Sequence, residues 1–130
     1  MNKFLIISII FLLKSFPSYA NWTETSKDEI GDTYYLDFDR ISKRNGYVYY
    51  WYLNDALQST NGVSSGEIYR KGDCKSFRYK LISYLPYKQP MGQGSPLFSN
   101  PKTIENAQWT KPNRNSVGER LLKNVCDFVN

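Results

Sequence analysis

Tyr47 to Leu53 reads Tyr-Val-Tyr-Tyr-Trp-Tyr-Leu, and no other stretch narrows the possible folds as much. Aromatic and β-branched side chains crowd a helix but fit a pleated surface, so the run is a strand. Its odd positions are Tyr47, Tyr49, Trp51 and Leu53 and its even positions Val48, Tyr50 and Tyr52, so neither face is plainly polar. Such a strand belongs in the middle of a sheet. Tyrosine can bury its ring and leave its hydroxyl in water, so Tyr50 and Tyr52 either add an aromatic contact surface or lie under another element.

The rest of the fold builds out from that strand. Asn45-Gly46 matches a type I′ hairpin turn, which needs positive φ at both central residues, and Trp22 to Thr25 and Thr33 to Phe38 are candidate strands before it. Asn54 to Gly66 is polar and small and reads as a loop. Glu67 to Tyr87 regains strand character, either as two strands turning at Lys71-Gly72-Asp73 or as one long bulged strand. From Phe77 onward, Phe77, Tyr79, Leu81 and Leu85 share one side while Arg78 and Lys80 share the other. Pro86 to Pro101 is rich in Pro, Gly, Ser and Asn and reads as a loop, and Gln108 to Thr110 adds a short strand.

The last segment predicts a helix. Ser116 with Glu119 forms a capping box, in which the hydroxyl and the carboxylate each satisfy a free N–H of the first turn. At about 100° per residue, Val117, Leu121, Leu122, Val125, Cys126, Phe128 and Val129 fall in one half circle and Lys123, Asn124 and Asp127 in the other. Gly118 lies in the apolar stripe, where a missing side chain lets the helix approach a sheet closely. Together these elements predict an α+β domain over residues 21–130, with a single antiparallel sheet of about five to six strands and a C-terminal helix packed on it.

Residues 1–20 predict a secretory signal peptide. Met1 to Lys3 gives a positive start, Phe4 to Leu13 an apolar stretch, and Ser18-Tyr19-Ala20 a small-residue cleavage site; a membrane span needs about 20 apolar residues. No Cys follows the expected cut, so a lipoprotein is not expected. The two cysteines, Cys74 and Cys126, lie in the exported part, where an oxidising compartment leaves one intrachain pairing. That bond closes a loop of about fifty residues, worth roughly 4 kcal/mol in the chain-entropy model. Cys74 has the parity of Arg78, so reaching a core partner requires a bulge or turn near Lys75, or a partner packed on that side.

The chain has no His, which removes the commonest general base, the commonest metal ligand and the Ser/His and Cys/His nucleophile arrangements. Asp37 and Asp39 are the one close acid pair before a turn, and they read as turn caps, as does Asn54-Asp55. No enzyme, cofactor or metal is expected. Without Lys3 and Lys14 the 17 basic residues fall to 15 against 12 acidic ones, a net +3, too weak an excess for a nucleic-acid binder. Five of those basic residues, Arg70, Lys71, Lys75, Arg78 and Lys80, fall within eleven positions. They form either a solvated sheet face or a patch for an anionic partner.

Several separated pieces align with a known family. Trp22, Tyr34-Tyr35-Leu36-Asp37, Ile41, Asn45-Gly46, Tyr49 to Asp55, Ser64-Ser65, Asp73-Cys74, Met91-Gly92, Trp109, Ser116-Val117 and Val125-Cys126 together resemble the bacterial surface-adhesin protein E-like domain family. The resemblance covers essentially the whole chain after the signal segment. It implies one small antiparallel sheet, a C-terminal helix and one disulfide in an exported domain, periplasmic or at the cell surface. It further implies host extracellular-matrix or plasma proteins as partners. Anionic glycans suit the basic patch, and a homodimer is a further permitted assembly. A soluble periplasmic accessory or inhibitor protein, meeting an exported enzyme through a sheet edge or through Pro86 to Pro101, is the alternative.

Overall fold

The computed structural model describes residues 20–130, so the expected signal segment lies, but for Ala20, outside the described residues. Seven strands form one antiparallel sheet: β1 (Trp22–Lys27), β2 (Thr33–Asp37), β3 (Ser42–Arg44), β4 (Tyr47–Thr60), β5 (Val63–Asp73), β6 (Arg78–Tyr87) and β7 (Lys102–Thr103). Among the described residues one α-helix, α1 (Val117–Val129), follows. The order across the sheet is β1-β2-β4-β5-β6-β7, and β3 shares one edge of β4 with β2. β2 pairs Tyr52 to Asp55 and β3 pairs Tyr47 to Tyr49, the short 3-10 turn Phe38–Arg40 joining them. Asp37 caps that turn by accepting from the Asp39 N–H at 3.1 Å.

The aromatic strand is central, as its two apolar faces require. Tyr52 pairs Leu36 of β2 on one side and Ile68 of β5 on the other. Its even residues Val48, Tyr50 and Tyr52 lie beneath α1, in a core with Leu36, Leu121, Leu122, Val125 and Cys126. The helix starts where the capping residues place it: Ser116 Oγ accepts from the Glu119 N–H at 3.1 Å. The Glu119 carboxylate in turn accepts from the Asn115 N–H at 3.1 Å. Cys126 is bonded to Cys74, with 5.7 Å between the two Cα atoms.

Four local expectations change. Residues 54–66 are not a loop: β4 runs on to Thr60, Asn61-Gly62 turns with φ of 52° and 76°, and β5 begins at Val63. The Asn-Gly pair is the signal that also makes the Asn45-Gly46 turn, set here in an exposed, mostly polar hairpin arm. The turn expected at Lys71-Gly72-Asp73 lies instead at residues 74–77, where Asp73 Oδ1 accepts from the N–H of Lys75 and of Ser76. That turn satisfies the parity requirement on Cys74. Leu85 does not share a face with Tyr79 and Leu81. Arg70 pairs Leu81 while Tyr69 pairs Ser83, so a bulge at Ile82 turns the remainder of β6 over, and Leu85 pairs Glu67 on the side away from the helix.

The fourth concerns the close approach of helix and sheet, which belongs to Gly72 rather than Gly118. A Cβ on Gly72 would lie 2.8 Å from Leu122 Cδ1 and 2.8 Å from Val48 Cγ2, whereas one on Gly118 would meet Tyr79 at an ordinary 3.5 Å. Gly72→Ala is therefore expected to cost about 1–3 kcal/mol by overpacking, and Gly118→Ala to stay within about 1 kcal/mol of the parent. Chemical denaturation checks both, and equal costs would show that the contact point is misplaced.

The core tyrosines also set an alkaline limit. Burial pushes the Tyr50 hydroxyl up to about 12. It also raises Tyr52, and Tyr34, whose hydroxyl donates to Asp28 at 3.1 Å, is raised by burial and then by that carboxylate. An unfolded tyrosine ionises near pH 10. Because the folded values are higher, these groups leave stability untouched below about pH 10 and remove it as pH rises toward the folded values. Tyrosinate absorbance and circular dichroism should change together above about pH 10. Ionisation of the core tyrosines there with unaltered secondary structure would contradict the packing.

Candidate functional site

With one α-helix among the described residues for two apolar faces, the other side of the sheet is left to the sheet's own side chains. The odd residues of β4 point there. Trp51 stacks on its β5 pairing partner Tyr69 with ring centroids 4.8 Å apart and planes at 23°, and Tyr49 sits 6.1 Å from the same Tyr69. Cations cover these rings. Arg44, held beside β4 by the Asn45-Gly46 hairpin, places its guanidinium 3.9 Å over Tyr49 and donates to the Tyr69 hydroxyl at 3.2 Å. The Arg40 guanidinium lies between Trp22 at 5.2 Å and Trp51 at 5.4 Å, steered by its 2.6 Å bond to the buried Asp37 carboxylate.

A second cluster continues the surface. Thr110 and Tyr79 exchange backbone hydrogen bonds of 3.0 and 2.8 Å, a bridge that brings Trp109 over the sheet. Trp109 stacks on Tyr47 at 5.6 Å. Around that pair stand Arg78 at 4.7 Å and Lys80 at 5.0 Å from the Trp109 ring, with Lys71 at 4.2 Å from Tyr47. Each contact is of the cation–π type, worth about 0.5–1 kcal/mol where exposed. Three like charges beside one indole repel one another, and Asp73, 3.8 Å from Arg78 Nε, is the one carboxylate paired with them. Hydrogen bonding to Ser76, through its side chain and its N–H, and to the Lys75 N–H holds that carboxyl below its ordinary range.

Of the five basic residues singled out in the sequence, Lys71, Arg78 and Lys80 converge. Lys75 lies exposed in the turn after β5. Arg70 is on the other face, 94% buried under the helix side of the sheet between the rings of Tyr52 and Tyr79, and leaves the patch. Density along a sequence is blind to strand alternation, and Arg70 has the wrong parity. Sequence reasoning missed Arg40, Arg44 and the position of Trp109; the two-residue turn fixes the β3–β4 register and already implied Arg44 beside Tyr47. Asp37 caps the turn after β2 as expected, and with Asp39 and Glu67 it also lines one open cleft beside Arg40, where burial raises the Glu67 carboxyl. Asp55, expected in a turn, lies inside β4 and accepts from the Met91 N–H at 2.8 Å. With Ser65 Oγ, which accepts from Gly92 and donates to the Gln89 carbonyl, it ties the start of the 86–101 segment to the sheet over Leu53.

A family model described as surface-adhesin protein E matches residues 22–127. Among solved structures, Haemophilus influenzae protein E is similar with a TM-score of 0.64 at 13% identity, over 82% of this chain and 83% of that one. A second crystal form of it gives 0.62, with 87% of that chain covered. Protein E from non-typeable Haemophilus influenzae gives 0.53 at 14% identity, over 82% and 72%. At these identities the likeness speaks for the fold. No curated protein matches the chain. No helix among the described residues is long and apolar enough to cross a membrane.

The crowding of cations around Trp109 predicts an asymmetry between its neighbours. Lys80→Gln should leave stability within about 0.5 kcal/mol, since the lost cation–π contact is offset by relief from Lys71 and Arg78, and any difference should shrink as salt rises. Trp109→Ala should cost about 1–2 kcal/mol by uncovering Tyr47. Denaturation at low and high salt reads both, and a large, salt-independent loss in Lys80→Gln would show that the lysine is structural.

Proposed function

We propose that this chain, which belongs to the surface-adhesin protein E family, is an exported non-enzymatic binding domain that receives an anionic macromolecule on the helix-free face of its sheet. The observation that carries the reading is the layer of half-buried rings capped by Arg40, Arg44, Lys71, Arg78 and Lys80. Aromatic and Arg side chains are the types enriched where interfaces concentrate their energy. Rings supply area with little loss of freedom, and cations already ordered over them present charge without first having to be fixed in place. A protein surface rich in carboxylates, as on a host extracellular-matrix or plasma protein, or a sulfated glycan meets both demands.

Export and surface location belong to the same reading, on the strength of the leader-like residues 1–20 and the family. Fractionation of producing cells tests that half: mature chain confined to the periplasm removes adhesion and favours the accessory-protein role. The binding half is tested by presenting the purified protein to immobilised matrix proteins, plasma proteins and sulfated glycans. A ligand should lose at least about tenfold in affinity for Trp109→Ala, and its binding to the parent should weaken as salt rises. Parent-like affinity in both Trp109→Ala and the Lys71→Gln/Arg78→Gln/Lys80→Gln triple variant would refute this face as the contact surface.

A further inference from the structure

The residue that left the basic patch poses a separate problem. Arg70 is held by the faces of two rings, its guanidinium carbon 3.8 Å from Tyr79 and 4.6 Å from Tyr52. Its Nε and Nη1 are buried and donate to no acceptor among the described residues. The buried Tyr50 hydroxyl lies close enough for Arg70 to lower its pKa, against the rise from burial, through charge and a weak hydrogen-bonding influence, yet it makes no hydrogen bond of ordinary geometry. An arginine keeps its charge at any physiological pH, and a buried cation whose donors are unused is costly unless something else takes them.

Arg70 is among the residues lining a cleft of about 390 Å³ between the sheet and the start of α1. Val117 and Gly118 line the same cleft. As the first helical residues they have N–H groups that no carbonyl of the helix can accept, and the helix dipole makes that end positive. The side chain of Lys111 stands at its exposed rim, and no Asp or Glu lines it. At Gly118 a Cβ would sit 3.5 Å from the Tyr79 ring, so glycine keeps the gap between the helix start and that ring open.

We propose that this cleft is a binding site for one oxyanion group, a carboxylate, sulfate or phosphate, with Arg70 as its floor and the N-terminal amides of α1 as its wall. Guanidinium donors and helix-start amides both match the oxygens of such a group. The site lies on the face opposite the aromatic layer, so it stands or falls independently of the reading of that layer. A ligand carrying several acidic groups would be the kind whose end it could take.

Amide chemical shifts of the purified, isotope-labelled protein test it, with sodium sulfate, phosphate and acetate titrated against sodium chloride at matched ionic strength. Saturable shifts of Val117 and Gly118 in the roughly millimolar range are expected. Saturation by sulfate and phosphate alone assigns a tetrahedral anion, and by acetate alone a carboxylate. Arg70→Gln should abolish the saturation. Because that variant removes a buried side chain and need not fold, Lys111→Gln at the rim is the second test, with an expected weakening of about tenfold. Shifts that merely track chloride, or that appear only around Lys71 and Trp109, would overturn the proposal and leave water as the partner of Arg70. So would full-strength binding in Lys111→Gln together with folded Arg70→Gln.

Discussion

β4 must be covered on both sides, and the described residues offer one α-helix with which to do it. Every larger feature follows from how the two sides are treated. On the even side the solution is conventional burial: Tyr50 and Leu36 are fully buried beneath Leu121, Leu122 and Val125. On the odd side the aromatic rings are half covered by the aliphatic stems and charged heads of Arg40, Arg44 and Lys71, so an apolar surface is partly screened from water. The same side chains give this face the positive charge on which the proposed binding rests.

The helix must be clamped for the first solution to hold, because thirteen residues carry too little intrinsic helical stability to stay put alone. Clamps lie along its length. Toward its end Cys126 is tied to Cys74, directly after β5, and Leu122 fills the notch at Gly72 just before that point. In the first turns Arg120 donates to Ser26 Oγ of β1 at 2.6 Å and to the Asn115 carbonyl at 2.7 Å. The disulfide and the glycine therefore act at one place, where β5 ends beneath the helix. A larger residue at 72 would lift the very segment that the disulfide pulls down.

How much of this was legible in the sequence depends on the range of the interaction that decided it. Local chemistry was readable: the Ser116 cap, the Asn45-Gly46 turn, the alternation of β4 and the single cysteine pairing all appear where the residues place them. Features decided across the sheet were not. Gly72 looks like a turn residue until Leu122 is seen above it, and the bulge at Ile82, which turns Leu85 over, leaves no mark in the alternation of β6 itself. The second Asn-Gly pair, at 61–62, is the same local turn signal, but it sits within the polar stretch that reads as a loop, and that polarity reflects the exposure of a long hairpin arm rather than the absence of strand. In the site, the parity of Arg70 against Lys71 was enough to split the basic cluster between two faces once the strand was placed.

Parity also explains why that split is consequential. Adjacent cations on a strand are forced to opposite sides, so a run of basic residues in β5 could not be solvated as a whole once α1 had covered one face. Lys71 escaped into the aromatic layer; Arg70 was left beneath the helix with rings on two sides and no carboxylate against it. An apolar residue at 70 would pack there at less electrostatic cost. A fold that already owns Leu36, Tyr50 and Leu121 in that layer has no need of a guanidinium for cohesion, and the charge is best understood by what can reach it through the open cleft at the start of the helix.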